Sequence, residues 1–251
     1  MTLVKTSACG AGLEARTEGH SATLLADGRV LVAGGEAAPL APAQFLSSAE
    51  LYDPVTGSFS ATGSLAGASY QHFAVLLGNG KVLLAAGGGL DRAQLFDLAT
   101  GAFTPTGSMS HVRAAPAVTR LADGSVLVVG GYGPPYGDFQ ATAEIYDTAT
   151  GTFRSAGGTL GCHSNATMLD NGRVLLTGSL SSFCEGLLAG IRLDAEIYDP
   201  TTGTSGFTAD MVVQRGRWHT ATRLGGGSVL ILGGNFPSLD LPPVPGEVFR
   251  Y

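Results

Sequence analysis

The chain has 251 residues, 38 of them glycine and 12 proline, so about 15% is glycine, roughly twice the usual share, which disfavours long helices. With 44% apolar and 14% charged residues, it can bury a substantial core and does not fit the low-hydrophobicity signature of disorder. Twenty acids against fourteen bases give a net charge of −6, and Lys5 and Lys81 are the only lysines, which argues against a surface built to neutralise nucleic-acid phosphates.

An internal repeat organises the elements. His20 opens HSATLLADGRVLVAGG, and the pattern returns as HFAVLLGNGKVLLAAG from His72, PAVTRLADGSVLVVGG from Pro116, SNATMLDNGRVLLTGS from Ser164 and HTATRLGGGSVLILGG from His219. The second strand of each copy starts at Val30, Val82, Val126, Val174 and Val229, giving spacings of 52, 44, 48 and 55 residues. A second marker follows each copy: AELYDPVTGSF from Ala49, AQLFDLATGAF from Ala93, AEIYDTATGTF from Ala143, AEIYDPTTGTSGF from Ala195, and GEVFRY ending at Tyr251. Each unit therefore predicts four short strands. Asp-Gly, Asn-Gly or Gly-Gly joins the first two through positions of positive φ. Asp-x-x-Thr-Gly joins the last two, its aspartate bonding turn NH groups and its glycine taking the left-handed position.

A sheet such as LLADGRVLVAGG is apolar on both faces and is not stable alone. Stacking five of them around an axis predicts a single five-bladed β-propeller of four-stranded antiparallel blades. The expected blades are 17–63, 69–107, 113–157, 161–210 and 216–251. The last is expected to be completed by an N-terminal strand at 2–6 (TLVKT) pairing with GEVFRY, since an open blade edge invites association.

The period near 50, the histidine-led first strand, the Gly-Gly ending the second and the tyrosine of the third resemble the kelch repeat over nearly the whole chain. HSATLLADGRVLVAGG is particularly similar to kelch blades of bacterial proteins and of the galactose-oxidase group. Departures fall at Ala86 and Ser179, which replace glycines of the doublet, and at Pro116 and Ser164, which replace the lead histidine. The resemblance implies a module that presents a loop face to a protein, peptide or glycan. Copper-radical oxidation is not carried over, because the crosslinked cysteine and copper histidines of those enzymes do not map onto Cys162 or Cys184.

On one face of such blades lie short, near-identical turns. Variation concentrates on the other, in 36–48, 132–142, 180–194 and 235–246, where binding usually resides. His20, His72 and His219 share one repeat position and read first as scaffold, with a divalent metal at the channel mouth as their alternative role. His111, His163 and Arg113 lie outside that position and are the candidates for catalysis. Candidate ligand contacts are Arg16, Tyr70, His72, Arg113, Tyr132, Tyr136, His163, Arg217, Trp218, His219 and Phe236, which combine guanidinium forks with stacking surface.

Glu50, Glu144, Glu196, Glu247, Asp53, Asp97, Asp147 and Asp199 recur with the repeat and read as scaffold. Asp91, Asp138, Glu185, Asp194 and Asp240 lie on variable loops, as solvated charge or as acid/base groups. Cys162 and Cys184 fall on one face, where a disulfide is geometrically allowed in an oxidising compartment; Cys9 is a further partner.

The enzymatic alternative to a binding module is a sugar epimerase-like enzyme or a metal-dependent cyclase or lyase with its site at the channel mouth. No cofactor is expected. No apolar stretch approaches the roughly 18–20 residues of a membrane helix, and the start MTLVKTSACGAGLEAR lacks a signal-peptide core. The expectation is a monomer without membrane or nucleic-acid partners, cytoplasmic as written and secreted if a leader has been removed.

Overall fold

The computed structural model describes residues 16–37, 44–88, 91–133, 140–161, 163–179, 194–212, 217–235 and 246–251. The fold is the all-β, five-bladed β-propeller, with no helix among the described residues. The chain divides into two compact units, Met1–Gly88 with Ala93–Pro105, and Gly89–Arg92 with Thr106–Tyr251.

The first unit runs through β1 (Arg16–Glu18), β2 (Ser21–Leu24), β3 (Val30–Ala33), β4 (Glu36–Ala37), β5 (Gln44–Phe45), β6 (Ala49–Asp53) and β7 (Ser58–Ala61). It continues with β8 (Phe73–Leu76), β9 (Val82–Ala85), β10 (Ala93–Asp97) and β11 (Ala102–Pro105). Blade 1 has the strand order β2-β3-β6-β7 and blade 2 the order β8-β9-β10-β11, both antiparallel meanders. A third, small sheet, β1-β4-β5, was not legible in the sequence; it folds part of the variable segment 36–48 back onto the chain entering blade 1.

The second unit holds β12 (Ala117–Arg120), β13 (Val126–Val129), β14 (Thr142–Asp147), β15 (Thr152–Gly158), β16 (His163–Met168) and β17 (Val174–Ser179). After them come β18 (Asp194–Asp199), β19 (Thr204–Asp210), β20 (Arg217–Leu224), β21 (Ser228–Asn235) and β22 (Glu247–Arg250). Blades 3 and 4 are four-stranded, and blade 5 has three strands among the described residues. The expected closing strand 2–6 lies outside the described residues.

The turn chemistry accounts for the hairpins. Asp53, Asp97, Asp147 and Asp199 each accept the NH two residues on at 2.8–3.0 Å. The glycine four residues after each aspartate has φ of 64–70° and closes the turn onto the aspartate carbonyl at 2.8–2.9 Å. In the first hairpins only the glycine of Asp-Gly or Asn-Gly is left-handed. Gly28 NH bonds Leu25 O while Leu25 NH bonds Arg29 O, a three-residue loop of the bulged kind.

Between blades the sheets meet face to face. In the first unit Leu31, Ala33, Ala49 and Leu51 of blade 1 form one core with Val82, Leu84 and Phe96 of blade 2. In the second, Leu127, Val129 and Ile145 of blade 3 pack on Val174, Leu176 and Tyr198 of blade 4, and Leu175 and Ala195 of blade 4 on Val229 and Ile231 of blade 5. All four residues of β9 and of β13 are buried, as strands covered on both faces must be. The other face of blade 5 leaves Leu224, Leu232 and Val248 exposed.

The Gly-Gly doublet sets how closely first strands approach. A side chain on Gly35 would meet the Cβ of His20, the lead residue of its own blade, at 2.8 Å, and one on Gly34 would meet the ring of His72, the lead residue of the next, at 2.7 Å. Both glycines are left-handed, with φ of 61° and 99°. Ala86 takes the position of Gly34 in blade 2 and is held at φ 65° while buried, a conformation that costs an L-residue about 1–2 kcal/mol. Two outcomes are expected in thermal melts. Gly34→Ala loses more than about 2 kcal/mol through strain and collision with His72. Ala86→Gly gains about 1 kcal/mol, a rise in Tm of about 2–4 °C.

Candidate functional site

The recurring polar side chains are engaged within and between blades. His72 Nε2 lies 2.9 Å from Ser21 Oγ on the first strand of the preceding blade. His219 Nε2 lies 2.8 Å from Thr177 Oγ1 on the second strand of blade 4. Ser21 is directly opposite Ala33 and Asn165 directly opposite Thr177, so both histidines reach the same repeat position, with the hydroxyl supplied from alternate strands. His20 is exposed. Among the described residues, no three His, Cys, Asp or Glu side chains are arranged to hold a metal ion.

The acid in the third strand has a second recurring task. It accepts the backbone NH of the segment entering its own blade: Ser110 NH to Glu144 Oε2 at 2.8 Å, Leu160 NH to Glu196 Oε2 at 3.0 Å, and Val212 NH to Glu247 Oε2 at 2.7 Å. In blade 2, which has Gln94 there, Ala66 NH bonds Gln94 Oε1 at 2.9 Å. Glu144, Glu196 and Glu247 thus act as scaffold, each satisfying an NH that no ladder reaches.

Arg113 and His163 are the partners that Glu144 and Glu196 take on their remaining oxygens. Arg113 is fully buried. Its guanidinium donates to Glu144 Oε1 from Nε and Nη2 at 3.4 and 3.2 Å, to Gly130 O and Thr142 O at 2.8 and 3.0 Å, and to Thr142 Oγ1 at 2.7 Å. No donor is directed at solvent, so the structure places this catalytic and ligand candidate inside blade 3. His163 is 5% exposed, with Nε2 2.7 Å from Glu196 Oε1 and Nδ1 buried without a hydrogen-bond partner among the described residues. Its place is likewise inside blade 4. His111 is the exposed member of the three candidates. Its Nδ1 is 3.0 Å from Ser110 Oγ and 3.7 Å from Glu144 Oε1.

These contacts set the charge state of the two buried glutamates. Burial pulls the Glu144 carboxyl upward, but the NH and hydroxyl of Ser110 and the charge of Arg113 hold it below the ordinary glutamate range. For Glu196 burial again raises it, and the bond and charge of His163, the Ser205 hydroxyl and the Leu160 NH bring it below. Burial also weakens the hold of Arg113 on its proton, against the pull of Glu144.

Two of the proposed stacking residues differ sharply in exposure. Tyr132 is buried and bridged to Ala114 through its backbone. Tyr70 is half-buried and lies flat on Phe45, with ring centroids 4.1 Å apart and an interplanar angle of 1°. Phe45, which sequence reasoning did not single out, belongs to the β1-β4-β5 ribbon and is 38% exposed. No repeat pattern marks it, because it sits in a segment peculiar to blade 1. Directly across the ribbon from Phe45 stands Glu36, and across from Glu36 stands Glu18. The pairing of β1 with β4 is irregular in register between Arg16 and Glu18.

Tyr136, Phe236, Cys9, Cys162 and Cys184 lie outside the described residues, as do Asp138, Glu185 and Asp240. The side chains of Arg16, Arg217, Trp218 and Asp194 lie outside them as well, although their backbones are placed in β1, β20 and β18.

Arg113→Ala is expected to cost about 3–5 kcal/mol, because it leaves Glu144 buried without its cation, whereas His111→Ala is expected to change stability by less than about 0.5 kcal/mol; chemical denaturation compares the two. The pH dependence has a definite sign. A glutamate whose folded pKa is depressed adds stability that is present above the ordinary glutamate range and is lost as pH falls through the lower, folded value. Stability measured against pH is therefore expected to fall on the acid side of that range. Glu196→Gln is expected to flatten this acid limb while lowering stability at neutral pH.

No family model matches the chain, and no curated protein is significantly similar to it.

Proposed function

We propose that the chain is a kelch-type β-propeller acting as a binding module, which presents its variable loop face to a protein, peptide or glycan. The observation that carries this reading is the contrast in use of its side chains. Arg113, and His163, His72 and His219 through Nε2, are engaged in building blades, while the Phe45–Tyr70 pair, with Phe45 on a ribbon that blade 1 alone carries, stays partly exposed. The kelch assignment rests on five copies of one strand pattern, three of which keep the lead histidine and three the Gly-Gly doublet, and on four Asp-x-x-Thr-Gly turns. A β-propeller is commonly an interaction module, although the fold itself supports unrelated functions.

Aromatic rings with one accessible face are frequent anchors at binding surfaces, for both planar groups and sugars. Printed glycan and peptide arrays probed with the intact protein are expected to give saturable signals that weaken with Tyr70→Ala. Silence on both arrays would count against the module reading.

A further inference from the structure

We propose that Asn79 is a site of spontaneous covalent modification, its side-chain amide being hydrolysed by water to a carboxylate, while Asn171, in the same dipeptide and the same kind of turn, is held back by contacts that Asn79 lacks.

Asn79-Gly80 joins β8 to β9, and Asn171-Gly172 joins β16 to β17. Both asparagines are exposed. Each accepts on Oδ1 the NH two residues on, from Lys81 at 3.1 Å and from Arg173 at 3.0 Å, which folds the side chain back over the intervening glycine nitrogen. The glycines are left-handed, with φ of 81° and 83°, and open space lies where a side chain would stand. Their NH groups close the turns onto Leu77 O and Leu169 O at 3.1 and 3.2 Å, the long end of the hydrogen-bond range.

The reaction needs water alone. The nitrogen of Gly80 attacks the side-chain carbonyl carbon of Asn79 and forms a C–N bond. The amide NH2 leaves with the proton given up by Gly80, as ammonia, and a cyclic imide remains. Water then opens the ring, and cleavage of the new C–N bond leaves an aspartate. Blades 1 and 3 already carry that product at this position. Asp27 Oδ1 accepts the Arg29 NH at 3.1 Å and Asp123 Oδ1 the Ser125 NH at 2.9 Å, beside glycines with φ of 90° and 88°. Asp27 also pairs with the Arg29 guanidinium at 2.7 Å, and a carboxylate at position 79 has Lys81 in the same sequence relation.

The residue before each asparagine separates the two sites. Asp170 is fastened to blade 5: its NH donates to Tyr251 OH at 3.1 Å, its Oδ2 accepts from that hydroxyl at 2.9 Å, and its Oδ1 accepts from Arg223 Nη1 at 2.6 Å. Gly78 takes this place in blade 2, with no side chain to fasten and more backbone freedom. Ring closure requires the asparagine to leave its turn conformation, so the turn that opens more often reacts faster.

The test is incubation of the intact protein at mildly alkaline pH, with peptide mapping by mass spectrometry to follow the gain of one mass unit at each asparagine. Asn79 is expected to convert about fivefold faster than Asn171 or more, the factor that one net hydrogen bond makes in a local opening equilibrium. In urea-unfolded protein the two are expected to convert at similar rates. Tyr251→Phe combined with Arg223→Ala is expected to bring Asn171 towards the rate of Asn79, and Asp170→Gly does the same if that pair destabilises blade 5. Asn79→Asp is expected to leave Tm within about 1 °C of the parent. No conversion at Asn79 in the folded protein, or conversion of Asn171 at an equal or higher rate, overturns the proposal.

Discussion

The contact on which the repeat depends is the one between a left-handed glycine and the ring of the next blade's lead histidine. Gly34 admits His72, and Gly178 admits His219, because neither carries a side chain where the imidazole lies. Once inside, each ring finds a hydroxyl on the preceding blade, Ser21 or Thr177. Neighbouring blades are thereby linked at the lead histidine, while the leucine and valine faces on either side supply the area. Hydrophobic burial is non-directional, so a polar link of this kind fixes register where apolar packing alone does not.

The blades without a lead histidine solve the same problem differently. In blades 3 and 4 the lead residues are Pro116 and Ser164, and a residue slightly upstream, Arg113 or His163, turns inward to the third-strand glutamate. The backbone of His163 lies against Gly130, where a side chain would come within 3.0 Å. The buried pairs Arg113–Glu144 and His163–Glu196 thus belong with the irregular blades. Removing one partner of such a pair is costly because the remaining charge stays buried. Within the second unit a third-strand tyrosine ties blade 4 to blade 3, since Tyr198 OH donates to Ala156 O, and Tyr146 OH lies 2.8 Å from Thr106 Oγ1.

The blades and their turns were legible in the sequence because they rest on local chemistry that recurs from blade to blade: aspartate bonding to the NH two residues on, glycine at positive φ, and buried valine-led runs. The structural role of Glu144 and Glu196 was legible for the same reason. The places of Arg113 and His163 were not, since their partners are 31 and 33 residues away and no periodicity marks them. The signal that could have found them was available: both occur in the two copies that lack the lead histidine, each upstream of a third strand that keeps its glutamate. The β1-β4-β5 ribbon escaped notice because strands of two residues leave no alternation to read. With it went Phe45, the ring on which Tyr70 lies.

The same division of labour explains why the functional candidates thinned out. Residues that a five-fold repeat demands have partners in the repeat, and surface chemistry is left to segments that one blade alone carries. The claim beneath this account is that the lead histidines act as interblade links. A double-mutant cycle measured by chemical denaturation, combining His219→Ala with Thr177→Val, tests it most directly. The account predicts a coupling of about 1 kcal/mol or more between the two positions. Costs that simply add, within about 0.3 kcal/mol, would contradict it.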